Sequence, residues 1–364
     1  CSQNRKADAV MSGGSLVVAK HRFLGDTMVT LPLLQHLASN ARANSHTLPS
    51  LVTGSGPAGL LENHPDVGSL LTISRDASKR SSAASRLLWK EYLRMAAEVR
   101  ATGVPATCYL ADRSFRSAIF ARLTGAKVIV GFPTEGRGFL LHKRIPYSQI
   151  ATEVDTILAL AGTDQALSGQ TPRLYLGPND AAVIPLDSST TRRVAIQPGA
   201  SHNYKQFPIA SWKALIQNIR SIGAEIYLVG GPEEQAAVDS LQELLGDAPA
   251  ISLVGKTSLR SLMATLQVFN LVVTADTGVS HVAAAVGTPT LTLFGPTPIH
   301  KWGRNYAPHR ALQAPDADMS KLIPLAAQWK FRNAGQVCVS PTRFYVQRSA
   351  YDKFVEKFTE VMGS

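Results

Sequence analysis

Residues 271–297 read LVVTADTGVSHVAAAVGTPTLTLFGPT, and this stretch decides the fold class. Residues 271–274 are apolar and largely β-branched, the pattern of a buried strand. Asp276-Thr277-Gly278 then forms a polar turn, after which apolar residues recur at helical spacing up to Gly287, a glycine placed to close a helix. Beyond Thr288-Pro289, residues 290–294 read as a second buried strand. Strand, turn, helix, strand is a βαβ unit, which belongs to an α/β fold with parallel strands. The turn brings the N–H groups of Thr277, Gly278 and Val279 to the positive end of the helix, where a phosphate is favoured. Gly278 has no Cβ to keep a ligand away from the backbone. A second reading stays open at this point: Asp276 or Thr277 simply caps a core helix.

Outward from this unit, the same alternation runs through both halves of the chain. Upstream in the second half, strands are expected at 193–197 and 225–229 and helices at 211–221 and 259–266, with Gly230-Gly231-Pro232-Glu233-Glu234 opening another helix. In the first half, residues 15–20 form a short apolar strand. A glycine turn at Gly25-Asp26 then opens an amphipathic helix through residue 37, with Met28, Leu31 and Leu34 facing inward. Further strands are expected at 50–53, 106–111 and 127–131, and helices at 83–100 and up to residue 123. Residues 132–143, glycine-rich and basic, read as a mobile loop beside a cleft. These elements predict two Rossmann-like, doubly wound lobes facing each other: residues 15–170 and 190–313, with a linker at 171–189. Residues 1–14 read as a disordered leader, and they lack the apolar core of a signal peptide. Gly25-Asp26 falls at the end of the first strand, in the crevice where open α/β sheets bind ligands. Its carboxylate has two readings as well, a functional group or a helix cap.

Composition narrows the partners. The chain has 364 residues, 45% hydrophobic and 17% charged, which suits two globular domains. No apolar run is long enough to span a bilayer. The net charge of +11 suits a polyanion, an anionic membrane surface or a phosphorylated ligand. Its scattered cations, without an aromatic RNA-binding pattern, argue for the latter two rather than nucleic acid. Three cysteines far apart in sequence, Cys1, Cys108 and Cys338, do not make a disulfide framework, and a reducing, cytoplasmic setting is expected. Neither G-x-G-x-x-G nor a P-loop occurs, against a dehydrogenase or NTPase.

From about residue 15 to 313 the chain resembles the glycosyltransferase family 9 heptosyltransferases of lipopolysaccharide core assembly. The resemblance rests on FLGDTMVTLPLLQ (23–35), SFRSAIFARLTGAK (114–127), PGASHNYKQFP (198–208), VGGPEE (229–234) and ADTGVSHVAAAVGTPTLTLFGPT (275–297), in that order. It implies a GT-B fold and inverting, metal-independent transfer of a sugar, typically from ADP-heptose, to a lipid-linked or lipopolysaccharide-core acceptor at the membrane surface; the alternative is a non-catalytic GT-B protein that only binds a nucleotide sugar. No cofactor is implied. A monomer, cytoplasmic or peripheral on the inner face of the inner membrane, is expected.

The same resemblance implies residue roles. Asp26 matches the catalytic carboxylate and would act as general base on the acceptor hydroxyl. Lys205 and the N–H groups of Thr277, Gly278 and Val279 would hold the leaving diphosphate. Asp276, repelled by phosphate, would bind sugar hydroxyls, and Glu234 rather than Glu233 would accept from the ribose. His281 would touch sugar or diphosphate, unless it is a satisfied core histidine. Arg22, Arg116 and Arg137 are candidates for acidic groups of the acceptor, against solvated salt bridges as the plainer reading.

The tail, residues 314–364, departs from this pattern. Over residues 316–362 it resembles a fragment of an aldehyde dehydrogenase, with KFRNAGQVCVSPTRFYVQRSAYDKFVEKF (330–358) carrying that family's nucleophile motif at Cys338. The general-base glutamate and the cofactor-binding domain of that family have no counterpart here, so no dehydrogenase activity is expected from this thiol. Residues 322–332 and 351–361 have helical patterning.

Overall fold

The computed structural model describes residues 14–77, 81–162, 171–184, 192–200, 202, 205–304, 306–313 and 356. Cys338 and the two tail segments expected to be helical lie outside the described residues, Glu356 apart.

The first lobe holds strands β1 (Ser15–Val18), β2 (Ser50–Gly54), β3 (Leu70–Ile73), β4 (Thr107–Leu110), β5 (Val128–Gly131) and β6 (Lys143–Arg144). Its helices are α1 (Leu24–Met28), α2 (Leu31–Ala43), α3 (Ser55–Ala58), α4 (Ser82–Thr102), α5 (Phe115–Leu123) and α6 (Glu153–Leu158). The second lobe holds β7 (Arg192–Gln197), β8 (Ala224–Leu228), β9 (Ile251–Ser252), β10 (Leu271–Ala275), β11 (Thr290–Phe294) and β12 (Arg310–Gln313). It is covered by α7 (Ile209–Ser221), α8 (Gln235–Leu245), α9 (Leu259–Gln267), α10 (Gly278–Ala285) and α11 (Ile299–Trp302).

Both sheets are fully parallel. Their orders are β3-β2-β1-β4-β5-β6 and β12-β11-β10-β7-β8-β9, the same doubly wound arrangement twice. In each sheet the winding reverses at the centre, between β1 and β4 and between β7 and β10. The residues just past β1, β7 and β10 therefore lie at the topological switch points, where the carboxyl ends of neighbouring strands leave a crevice. Gly25-Asp26, Gln197 and Asp276-Thr277 all sit there.

The β10–α10–β11 unit forms as its sequence requires. Val272, Val273 and Ala275 are buried, and β10 pairs with β11 in the register Val272↔Thr290 to Ala275↔Leu293. Gly287 follows the helix with φ +88, and Gly287 N and Thr288 N donate to the carbonyls of Ala284 and Ala283. The amphipathic helix expected from Gly25 is instead two helices. Pro32 stands in the first turn of α2, where its missing N–H costs nothing, and it could not continue α1.

The lobes join through a shared apolar core that includes Met28, Leu31 and Leu34 from one and Val279, Val282 and Met263 from the other. α1 packs directly against α10 across the junction. A Cβ on Gly278 would stand 2.8 Å from Leu24 Cβ, so only glycine lets the two helix starts meet this closely. Two polar clamps flank that contact. The buried Lys301 Nζ donates to Ser148 O (2.6 Å), Ala151 O (3.0 Å) and Thr156 Oγ1 (3.0 Å) of the first lobe and lies 3.4 Å from the Glu153 carboxylate. Arg260 pairs with Asp180 and donates to Leu60 O (3.2 Å). The described part of the expected linker, 171–184, has no helix or strand, and its Leu174 N donates to Ala285 O.

Candidate active site

Asp26 lies in the first turn of α1 and is buried. It does not cap that helix. Its Oδ1 accepts instead from Lys20 Nζ at 3.1 Å, while its carbonyl accepts from Thr30 Oγ1. Burial pushes the Asp26 carboxyl above its ordinary value; Lys20 opposes this, Glu153 adds to it and Arg113 opposes it. A carboxyl raised in this way is a better proton acceptor near neutral pH than an ordinary aspartate.

Across the lobe contact, Thr277 takes the N-cap position of α10 with extended backbone, yet its side chain does not cap. The Thr277 hydroxyl donates to Gln197 Oε1 (2.5 Å), Gln197 Nε2 donates to Glu234 Oε1 (2.5 Å), and Gly231 N donates to Glu234 Oε2 (2.9 Å). This relay ties the ends of β7, β8 and β10 together. It also draws the Thr277 hydroxyl away from the first-turn amides of α10, which have no side-chain cap. Thr277 and Gly278 are only half-buried, so those amides are not sealed in the core. The simple capping reading of this turn is thereby set aside. Asp276 does not cap either: its Oδ2 accepts from Lys205 Nζ at 2.6 Å.

Glu234 is buried, and burial raises its carboxyl to about 6 against the two hydrogen bonds that lower it. Each oxygen already accepts one hydrogen bond, and a carboxylate has room for further donors. Glu233 is exposed.

His281 is buried on α10. A Cβ on Gly25 would lie 3.1 Å from its Cδ2, so the imidazole sits against the residue preceding Asp26. Trp302 meets His281 edge-on, with centroids 6.2 Å apart, and lies below Lys20 Nζ at 5.9 Å. Asp26, Lys20, Trp302 and His281 thus form one run of contacts from first lobe to second. Burial, then Arg304 and Lys205, hold His281 well below its ordinary value, so it is neutral.

The three arginines part company. Arg22 and Arg116 are exposed, and both act electrostatically on His21. Arg137 is fully buried and committed. Its Nη1 lies 3.3 Å from Asp112 Oδ1 and donates to Ser114 O, its Nη2 donates to Asp112 O, and its Nε donates to Phe132 O. It cannot also reach an acceptor, and the expected assignment is corrected on that ground. The same bonds correct the expected mobile loop: residues 137–140 form a short 3-10 turn pinned to α5. An interior arginine saturated by carbonyls leaves no sequence signal that separates it from an exposed one.

Five groups near the site escaped the sequence reading: Lys20, Arg113, Glu153, Gln197 and Arg304. Gln197 and Lys20 had a detectable signal, since each is a polar residue ending or just following a strand at a switch point. Arg113 stacks its guanidinium 4.6 Å from the Tyr147 ring, whose hydroxyl donates to Glu153 Oε2 at 2.6 Å.

No helix among the described residues is long and apolar enough to cross a membrane. The described residues contain no group of three or more histidine, cysteine or acidic side chains arranged to hold a metal.

Comparison with known proteins gives two findings. The tail matches the aldehyde dehydrogenase family model over residues 311–364, and a probable succinate-semialdehyde dehydrogenase of Sinorhizobium fredii is 58% identical over 45 residues, 12% of this chain and 9% of that protein. The rest is similar to lipopolysaccharide heptosyltransferase 3 of Escherichia coli, 23% identical over 287 residues, covering 76% of this chain and 82% of that one. In fold it is similar to the E. coli heptosyltransferase WaaC solved with ADP-2-deoxy-2-fluoro heptose (TM-score 0.62, 21% identity, 88% of this chain and 100% of that one). The two parallel lobes are thus a GT-B fold. The model of glycosyltransferase family 9 (heptosyltransferase) matches residues 106–320, more than half of the sequence, and the chain belongs to that family of glycosyltransferases.

Proposed function

We propose that this protein transfers a heptose from ADP-heptose to a lipopolysaccharide-core acceptor with inversion at the anomeric carbon. The observation that carries this reading is the juxtaposition of Asp26 with the start of α10, through the contact of Gly25 with His281. The similar WaaC structure holds an ADP-heptose analogue, which supports the choice of donor.

In this reading residues 15–170 receive the acceptor and residues 190–313 the donor. Asp26 takes the proton from an acceptor hydroxyl as its oxygen attacks the anomeric carbon. The bond from that carbon to the diphosphate breaks, and ADP leaves with the electron pair. Lys205 and the amides of Thr277, Gly278 and Val279 meet the developing charge. Asp276 holds Lys205 in place and accepts from sugar hydroxyls, while Glu234 accepts from the ribose. Arg22 and Arg116 face solvent on the first lobe and draw an acidic acceptor at the membrane surface.

The test is ADP release from ADP-heptose with a lipid A–Kdo acceptor. Asp26→Asn is expected to keep donor binding and lose turnover. Wild-type turnover in that variant would remove the carboxylate from the mechanism, and no turnover in the parent protein would overturn the choice of substrates.

A further inference from the structure

Arg304 follows α11 and is buried, with its guanidinium against His281 Nδ1 and the Tyr306 hydroxyl. Among the described residues it has no carboxylate at ion-pair distance. A buried guanidinium so placed is costly, and an apolar residue would fill the same space more cheaply. The neighbour it touches is the histidine packed on Gly25 at the lobe junction.

The chemistry of the contact is one-directional. A guanidinium only donates, so Nδ1 must accept, and the imidazole proton must then sit on Nε2. That nitrogen lies 3.3 Å from where a Cβ of Gly25 would stand, and it has no hydrogen-bond partner among the described residues. We propose that Arg304 is a positioning residue: it locks His281 as the Nε2–H tautomer and so presents a neutral donor at the lobe junction to an oxygen of a sugar diphosphate. The assignment of the ligand rests on the donor-site reading above, whereas the tautomer does not.

The charged groups around the imidazole agree. Lys205 and Arg304 both act on it as cations, and Asp276 acts on Arg304. An imidazolium here would face two cations. His281 is therefore no general acid or base for the reaction; it can serve only as a fixed dipole, and a fixed dipole is useful only if its proton is on the nitrogen that faces the ligand.

The full chain labelled with 15N-histidine tests this by long-range proton–nitrogen correlation, with the His281 signals identified by their loss in His281→Gln. The wild type is expected to show an unprotonated Nδ1 and a protonated Nε2, and added ADP is expected to shift the Nε2 signal. Arg304→Met is expected to give a mixture of tautomers. It should also lower kcat by roughly 10²-fold with little change in the KM for donor, as loss of one aligned donor does; Arg304→Lys should recover part of the loss. A protonated Nδ1 in the wild type overturns the proposal even if Arg304→Met fails to fold, as does an Arg304→Met protein with an unchanged tautomer. Nε2 unmoved by ADP that calorimetry shows to be bound also overturns it. The expected tautomer in a protein that binds no ADP would count against the donor-site reading and leave the role of Arg304 standing.

Discussion

Lys205 Nζ lies 2.6 Å from Asp276 Oδ2, joining the loop after β7 to the turn that opens α10. The lysine is partly exposed and the aspartate buried, so the carboxylate is the fixed member and the ammonium the adjustable one. Such a pair keeps a cation beside the helix start, and in the proposed donor site the lysine's three donors are to be shared between Asp276 and a diphosphate. Lys205→Met is expected to lower kcat/KM by about 10²–10³-fold, the size of loss seen when one transition-state charge partner is removed. Steady-state ADP release measures it. Wild-type kcat/KM in the variant would show that the amides of α10 alone neutralise the leaving group.

Asp26 carries a prediction in pH. Its folded value is raised, chiefly by burial, and Lys20 works against that rise by charge and by hydrogen bond. In the proposed mechanism Asp26 is the general base and must be ionised, so activity is expected to fall as pH drops through the Asp26 value. Lys20→Met removes a lowering influence, and the acid limb of the kcat/KM profile should move to higher pH. A limb that stayed in place, or moved toward lower pH, would mean that the titrating group is not Asp26.

Part of this arrangement was legible in the sequence: Gly25-Asp26 falls at the end of an apolar strand, in the crevice of an open α/β sheet, whereas the roles expected of Asp276 and Glu234 came from the family resemblance. Asp26, Asp276 and Glu234 each follow a strand, and the strands were readable from their apolar runs. The strands β3, β6, β9 and β12 were not, since two to four residues carry no period long enough to detect. Side-chain destinations were harder still. Arg137 and Arg116 lie in similar basic company in the sequence, yet one is buried under carbonyls and the other faces solvent. Arg304 stands in a polar, turn-like stretch, and only the folding of α11 back onto α10 reveals what it touches.

Glu234 links the relay to stability. Its folded value of about 6 exceeds the ordinary 4.5, so the folded protein holds this proton more tightly than the unfolded chain. The stability it contributes is present in full below pH 4.5 and is lost as pH rises through 6, on the order of 2 kcal/mol. Glu234→Gln cannot titrate, and its thermal midpoint should lack that decline between pH 4.5 and 6. Parallel profiles for the two proteins would show that the relay is already ionised throughout and that Glu234 is solvated more than its burial implies.

Lys301 offers the sharpest test of how the lobes are held. Its ammonium is buried in the first lobe's carbonyls of Ser148 and Ala151, beside Glu153 and 4.4 Å from the Tyr147 ring centre. Lys301→Met keeps the length of the apolar stem but leaves Glu153 without its cation and two carbonyls without a donor. The Tyr147 hydroxyl still donates to Glu153, so the loss should be about 3 kcal/mol, at the low end for breaking a buried pair. Urea unfolding measures it. Because the clamp joins the lobes rather than either core, the variant should also unfold less cooperatively, with the two lobes separating in the transition. A single transition at the wild-type midpoint would mean that the apolar contact of α1 with α10 holds the lobes together unaided.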